Sequence, residues 1–131
     1  MPVVAALLVA RAHHAERAVS KALSGTELAA AHWFILDFVA SSPSSGMSEI
    51  AVGTGLPAPT LTRHMDRLVD RNFVYRVLDP ADRRRVGLRL TERGEAFIDE
   101  HQSGVHEMLR EVFGAADSWE LEAVQRALAK G

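Results

Sequence analysis

Cysteine is absent from this 131-residue chain, which excludes disulfides, thiolate metal sites and thiol-based redox sensing. Long hydrophobic runs are missing too. The apolar stretch over residues 2–10 is far too short to cross a bilayer as a helix. It also lacks the basic residues that open a signal peptide, so it reads as the start of a helix in a cytoplasmic protein with no membrane partner. A Gly-rich phosphate loop, a nucleophile elbow and paired catalytic carboxylates are all lacking, so neither an enzyme nor a cofactor is expected. Six histidines are present, but HExxH and Cys/His ligand spacings are not. The grouping of His13 and His14 with His101 and His106 therefore carries no metal expectation.

What is there fits one soluble domain: 47% hydrophobic and 24% charged residues in a length too short for two ordinary domains. The net charge of −2 argues weakly against a nucleic-acid partner, but its distribution argues the other way. Residues 58–93 carry nine arginines against five acids, and the rest of the chain carries 6 basic and 12 acidic residues. A basic centre between acidic ends is the footprint of a phosphate-binding surface. An ordinary solvated face would give the same count, so charge alone does not decide.

Hydrophobic spacing divides the chain. Residues 3–23 predict a helix with Val4, Leu8, Ala12, Ala15, Val19 and Ala22 on one side. Ser24-Gly25 stops it, and a second, nearly all-round apolar helix is expected from Thr26 or nearby to about 40. Residues 41–46 are a loop by composition. Ser48 is read as the N-cap of a short helix ended by Gly53 and Gly55. Pro57 and Pro59 suit the first turn of the next helix, expected over residues 58–71, with Leu61, Met65, Leu68 and Val69 inward. Asn72 is suited to a left-handed cap. A short helix, a turn and a helix with a cationic outer face make a helix-turn-helix.

Two β-like runs follow, 73–78 and 86–90, around the basic tip Asp79-Pro80-Ala81-Asp82-Arg83-Arg84-Arg85. Such a ribbon directly after a recognition helix is a wing. Thr91 caps a long helix with the stripe Phe97, Ile98, His101, Val105, Met108, Leu109, Val112 and Phe113, ended by Gly114. Asp117-Ser118-Trp119-Glu120 resembles a capping box for a last short helix.

Together these residues resemble the MarR family of regulators. The wing matches best: Asp79-Pro-x-Asp82-Arg83-Arg84 at the tip, a strand, then Leu90-Thr91-x-x-Gly94 at the next helix. Residues 59–63 and 68–76 look like the family's recognition helix and first wing strand. His32-Trp33-x-x-Leu36 is similar to its second-helix pattern, which usually has glutamine before the tryptophan. Pro57 in place of a serine cap, Asn72 in place of glycine and Ala29 in place of a cap threonine depart from the pattern. None of the three touches the basic face.

The expected fold is thus mainly α with a small β-wing, a single domain over 1–131. The resemblance implies a winged helix-turn-helix over 26–91, flanked by dimerisation helices at 1–25 and 92–131; without it the terminal helices read as core. Recognition-helix candidates for DNA are Pro59, Thr60, Thr62, Arg63, His64 and Arg67, because side chains near the helix N-terminus reach deepest into the major groove. Arg63 suits a guanine edge. The threonines suit a phosphate or a thymine methyl, or are simply exposed, and His64 suits a phosphate or nothing. In the wing the candidates are Asp82, Arg83, Arg84 and Arg85. The resemblance implies that Arg84 enters the minor groove and that Asp82 orients it. Expected partners are double-stranded DNA, a second copy of the chain, and a small apolar or weakly acidic effector in a cleft near Trp33 and the first helix. The rival function is a winged-helix protein-interaction adaptor.

Overall fold

The centre of the fold is α2 (Ala30–Ser41), which buries His32, Trp33, Ile35, Leu36 and Val39. So many buried positions leave only a narrow exposed strip at Asp37, Ala40 and Ser41, because other elements surround the helix. The protein is described by a computed structural model over residues 2–113. The remaining elements are α1 (Pro2–Ala22), α3 (Met47–Thr54), α4 (Ala58–Asp70), β1 (Val74–Leu78), β2 (Val86–Leu90) and α5 (Glu92–Phe113). This is the mainly α architecture with a two-stranded wing that the periodicity predicts. The stop at Gly114 and the expected last helix lie outside the described residues.

Helix α2 starts four residues later than expected. Thr26 does not cap it. Its hydroxyl donates to the Leu23 carbonyl at 2.8 Å and accepts the Leu28 N–H at 3.3 Å, holding a local turn that competes with helix. Ala29 is the cap residue, and His32 reaches back so that its Nδ1 accepts the Ala29 N–H at 2.9 Å. Helix α3 also differs from expectation. Its cap is Gly46, whose N–H is accepted by Glu49 at 3.4 Å, and Ser48 lies in the first turn. Gly53 is inside the helix, where the Phe38 ring occupies the space a Cβ would need; Gly55 ends it at φ 73°.

Only the second half of α1 is buried, through Ala18 and Val19, with Leu23 just beyond the helix. Val19 and Leu23 pack with α5 residues Ile98 and Val105 in the same core. At the other end Val3, Val4, Leu7, Leu8 and Val9 are exposed, Val3 by 76%. Trp33, Phe73 and Phe97 form an aromatic seam that ties α2 and α5 to the turn just before β1, with the Phe97 ring centroid 6.4 Å from Trp33 and 5.5 Å from Phe73.

Strands β1 and β2 pair antiparallel from Val74–Leu90 to Leu78–Val86. Phe73 is not in the strand but in the core. The loop between α2 and α3 is not free: the Ser44 N–H donates to Leu88 O at 3.0 Å and the Leu88 N–H to Ser45 O at 2.9 Å. The wing's inner strand is therefore backed by a bridge from the helical body. Gly87 permits this approach, since a Cβ there would lie 2.5 Å from the Ser44 carbonyl oxygen.

Candidate nucleic-acid interface

The candidate surface is made by α4 and the wing, and local chemistry fixes each end of α4. Gly55 turns the chain out of α3, and Pro57, at φ −58° and ψ 144°, sits as N-cap with Pro59 in the first turn. Proline there loses no hydrogen bond, because the first N–H groups of a helix have no helical partner. The other end closes in a two-bond cap around Asn72 at φ 63°. The Asn72 N–H donates to Val69 O at 3.0 Å and the Phe73 N–H to Leu68 O at 2.8 Å. Phe73 and Leu68 are both buried, as this motif favours.

Leu61, Met65 and Leu68 anchor α4 in the core, with Val69 partly buried beside them. Pro59, Thr62, Arg63, Asp66, Arg67 and Asp70 lie exposed on the opposite side. Thr60 and His64 are half-buried at its edges. The Thr62 hydroxyl donates to the Ala58 carbonyl at 3.0 Å, so it faces outward as an acceptor and a methyl group. His64 contacts His32 on α2, with Nδ1 of His64 3.2 Å from Nε2 of His32.

The wing tip is a chain of local bonds. Asp79 accepts the Ala81 N–H at 2.8 Å, and Asp82 accepts the Arg84 N–H at 3.1 Å. Asp82 also meets the Arg84 side chain at Nε, 3.4 Å away, while that side chain is 94% exposed. The expected Asp82–Arg84 pair therefore exists, but Asp82 first shapes the turn. Arg83 and Arg85 behave differently from each other. Arg85 is ion-paired to Glu49 on α3, whereas Arg83 has no ion-pair partner among the described residues.

Counting charges overstated what the surface can offer. Five of the nine arginines are in ion pairs: Arg71 and Arg93 with Glu27, Arg76 with Asp66 at 3.2 Å, Arg84 with Asp82, and Arg85 with Glu49. Arg63, Arg67, Arg83 and Arg89 are exposed and unpaired among the described residues. Two of those four are the recognition-helix candidates. Arg89, on β2, was missed as a candidate; its place opposite buried Leu88 in a period-two strand was the available signal. Glu27 was missed too. By gripping Arg71 and Arg93 it latches the loop before α2 to the end of α4 and the start of α5, while Arg93 stacks over Phe73 at 4.2 Å.

Behind this surface, a cleft of about 600 Å³ opens between α1, α2 and α3. Phe34, Phe38, Ala12 and Ala15 line it together with the carboxylates of Glu16 and Asp37. Trp33 is in the core, only 4% exposed, and it is its neighbour Phe34 that lines the cleft. Among the described residues no three His, Asp or Glu side chains converge on a metal-sized point.

Residues 24–85 match the family model of the MarR family. A MarR family transcriptional regulator from Silicibacter pomeroyi is 22% identical, with a TM-score of 0.83 over 95% of this chain and 83% of its own. A mutant of E. coli MarR complexed with operator DNA is 23% identical, with a TM-score of 0.79 over 95% and 92%. Bordetella bronchiseptica BpsR, whose DNA binding is regulated by 6-hydroxynicotinic acid, is 23% identical, with a TM-score of 0.77 over 96% and 90%. The matched segment covers α2, the helix-turn-helix and the wing tip, and the fold likeness extends over nearly the whole chain: this protein has the winged helix-turn-helix fold, and its residues 24–85 are similar to the MarR family.

Proposed function

We propose that the chain is a transcription regulator and not an enzyme: a ligand-responsive repressor that binds a pseudo-palindromic operator as a homodimer in the cytoplasm. One observation carries this reading. Arg63 and Arg67, without ion-pair partners among the described residues, stand on the exposed side of α4, and the same fold projects Arg84 from the tip of a wing. A helix of this kind fits the major groove, and a guanidinium on a ribbon tip fits the narrow minor groove beside it.

In this reading Arg63 reads a guanine edge, Arg67 and Arg83 meet phosphates, and Arg84 enters the minor groove. Pro59 and Thr60 fit the approach of the helix N-terminus, and Thr62 offers its methyl to thymine. Asp82 shapes the tip, and Arg85 steadies it against α3 through Glu49. Dimerisation is supported by the exposed valines and leucines of residues 3–9, an apolar patch that association would remove from water. Effector response is supported by the aromatic-lined cleft between α1 and the winged part. Its apolar lining suits the expected apolar ligand; Glu16 and Asp37 favour a weak acid less, since like charges repel.

A salt titration of binding to duplex DNA tests the proposal against the adaptor reading. Phosphate contacts release counterions, so the affinity of a DNA-binding protein falls steeply and log-linearly with salt. An adaptor would bind duplex weakly or not at all. Light scattering on the same sample should give twice the chain mass.

A further inference from the structure

Two histidines from different helices meet beside the recognition face. His32 is buried in the first turn of α2, only 5% exposed, and His64 projects from α4 between Arg63 and Arg67. Their rings meet edge to face, with centroids 4.7 Å apart and planes at 86°. Nδ1 of His32 accepts the Ala29 N–H at 2.9 Å, so that nitrogen bears no proton. A neutral imidazole carries a single proton, and the bond made by one nitrogen decides where it sits. In His32 it must sit on Nε2, which lies 3.2 Å from Nδ1 of His64. His64 Nδ1 must then be the acceptor, and its own proton is left on Nε2.

We infer that His32 is a positioning residue: by accepting the Ala29 N–H it fixes the His64 tautomer and makes His64 present a single, uncharged Nε2–H donor to DNA. The order runs from the α2 cap, through the buried ring, to the α4 surface. An imidazolium at His64 would place an Nδ1–H against the His32 Nε2–H, donor facing donor, so the contact excludes the charged form. The surroundings act in the same direction. Burial pushes His32 down to about 4, with help from His64 and Arg67; burial and then Arg63 push His64 down as well. The recognition surface thus has one neutral donor among its cations. This inference rests on α4 being the DNA-facing helix.

The experiment has two arms on the full chain. Ring-nitrogen NMR at pH 7.5 reads the tautomers without DNA. The expected result is unprotonated Nδ1 and protonated Nε2 on both rings, with His64 losing that bias in His32→Leu and keeping it in His32→Gln. Glutamine can accept the Ala29 N–H through oxygen and donate to His64 through nitrogen. A proton on Nδ1 of His64, or an ordinary imidazole titration near 6.5 in the native protein, would overturn the inference.

The second arm measures binding to a random-sequence 30-base-pair duplex across a salt series. His64→Ala and His32→Leu should each weaken binding roughly 3- to 10-fold, as for one neutral hydrogen bond. The slope of log affinity against log salt should not change, because no charge is removed; a cationic contact would alter it by about 0.9. His32→Gln should bind like the parent. A changed slope, or full affinity in both His64→Ala and His32→Leu, overturns the inference while leaving the DNA reading intact. Failure of the parent protein to bind duplex, with the tautomers as expected, would instead locate the error in the proposed function.

Discussion

Replacing Gly94 by alanine sets two effects of opposite sign against each other. Gly94 lies in the first turn of α5, and in an exposed helical position this change would stabilise by up to about 1 kcal/mol. Here the new Cβ would lie 2.2 Å from the Phe73 carbonyl oxygen, 3.2 Å from its carbon and 3.4 Å from Leu90 Cβ. The obstacle is backbone, so the helix itself must move by on the order of 1 Å, an overpacking that costs about 1–3 kcal/mol. The shift would also disturb the bonds that join wing to helix. The Thr91 N–H donates to Phe73 O at 3.0 Å, and the Gly94 N–H donates to the Thr91 hydroxyl at 3.0 Å. Each is worth about 1 kcal/mol. The clash wins, with an expected net loss of roughly 2–3 kcal/mol. Urea unfolding followed by far-ultraviolet circular dichroism measures it, and Gly104→Ala is the internal control. That glycine is in the same helix, but its Cβ would meet nothing within 4 Å among the described residues, so the control should be neutral or slightly stabilising. Equal stabilities for the two variants would refute the reasoning.

Stability should fall on acidification because His32 is held below its ordinary value near 6.5, to about 4. The unfolded chain then binds the proton more readily, so the stability present above 6.5 is lost as the pH falls toward 4, by roughly 2 kcal/mol at pH 5. His32→Gln should flatten that part of a pH series of urea midpoints, and an unchanged slope would rule this source out. Arg63→Ala should cost about 1–3 kcal/mol on the cognate site and less on random DNA; equal losses would make Arg63 a phosphate contact. Arg84→Ala should weaken binding most where the flanks are A·T-rich. A double-mutant cycle with Asp82→Ala should give less than additive losses, and full additivity would mean that the pair is uncoupled.

The wing and recognition helix were legible because their signals are local. Prolines start α4, Asn72 ends it, and alternation bounded by an Asp-Pro turn marks the ribbon. The cap position of α2 at Ala29 was legible only through the resemblance, since Thr26 is an equally good turn former and the group that caps Ala29 is a histidine three residues later. Ser48 misled for the opposite reason: it is a good cap residue in the wrong place, where Glu49 serves Gly46. Long-range facts were beyond a linear reading. Nothing near Arg85 announces Glu49, and nothing near His64 announces His32. The local pattern thus named most of the candidate surface but could not say which of its arginines are already engaged.

The central claim is that two copies of this chain read an inverted repeat through α4 and the wing. Selection of bound sequences from a randomised duplex pool tests it most directly, because the pool offers every candidate operator at once. The expected result is enrichment of an inverted repeat whose half-site centres are about 10–10.5 base pairs apart, or a multiple of that, with two protomers bound per duplex. Arg63→Ala should relax one position in each half-site. Enrichment of no motif, or of a single asymmetric site bound by one protomer, would contradict the account.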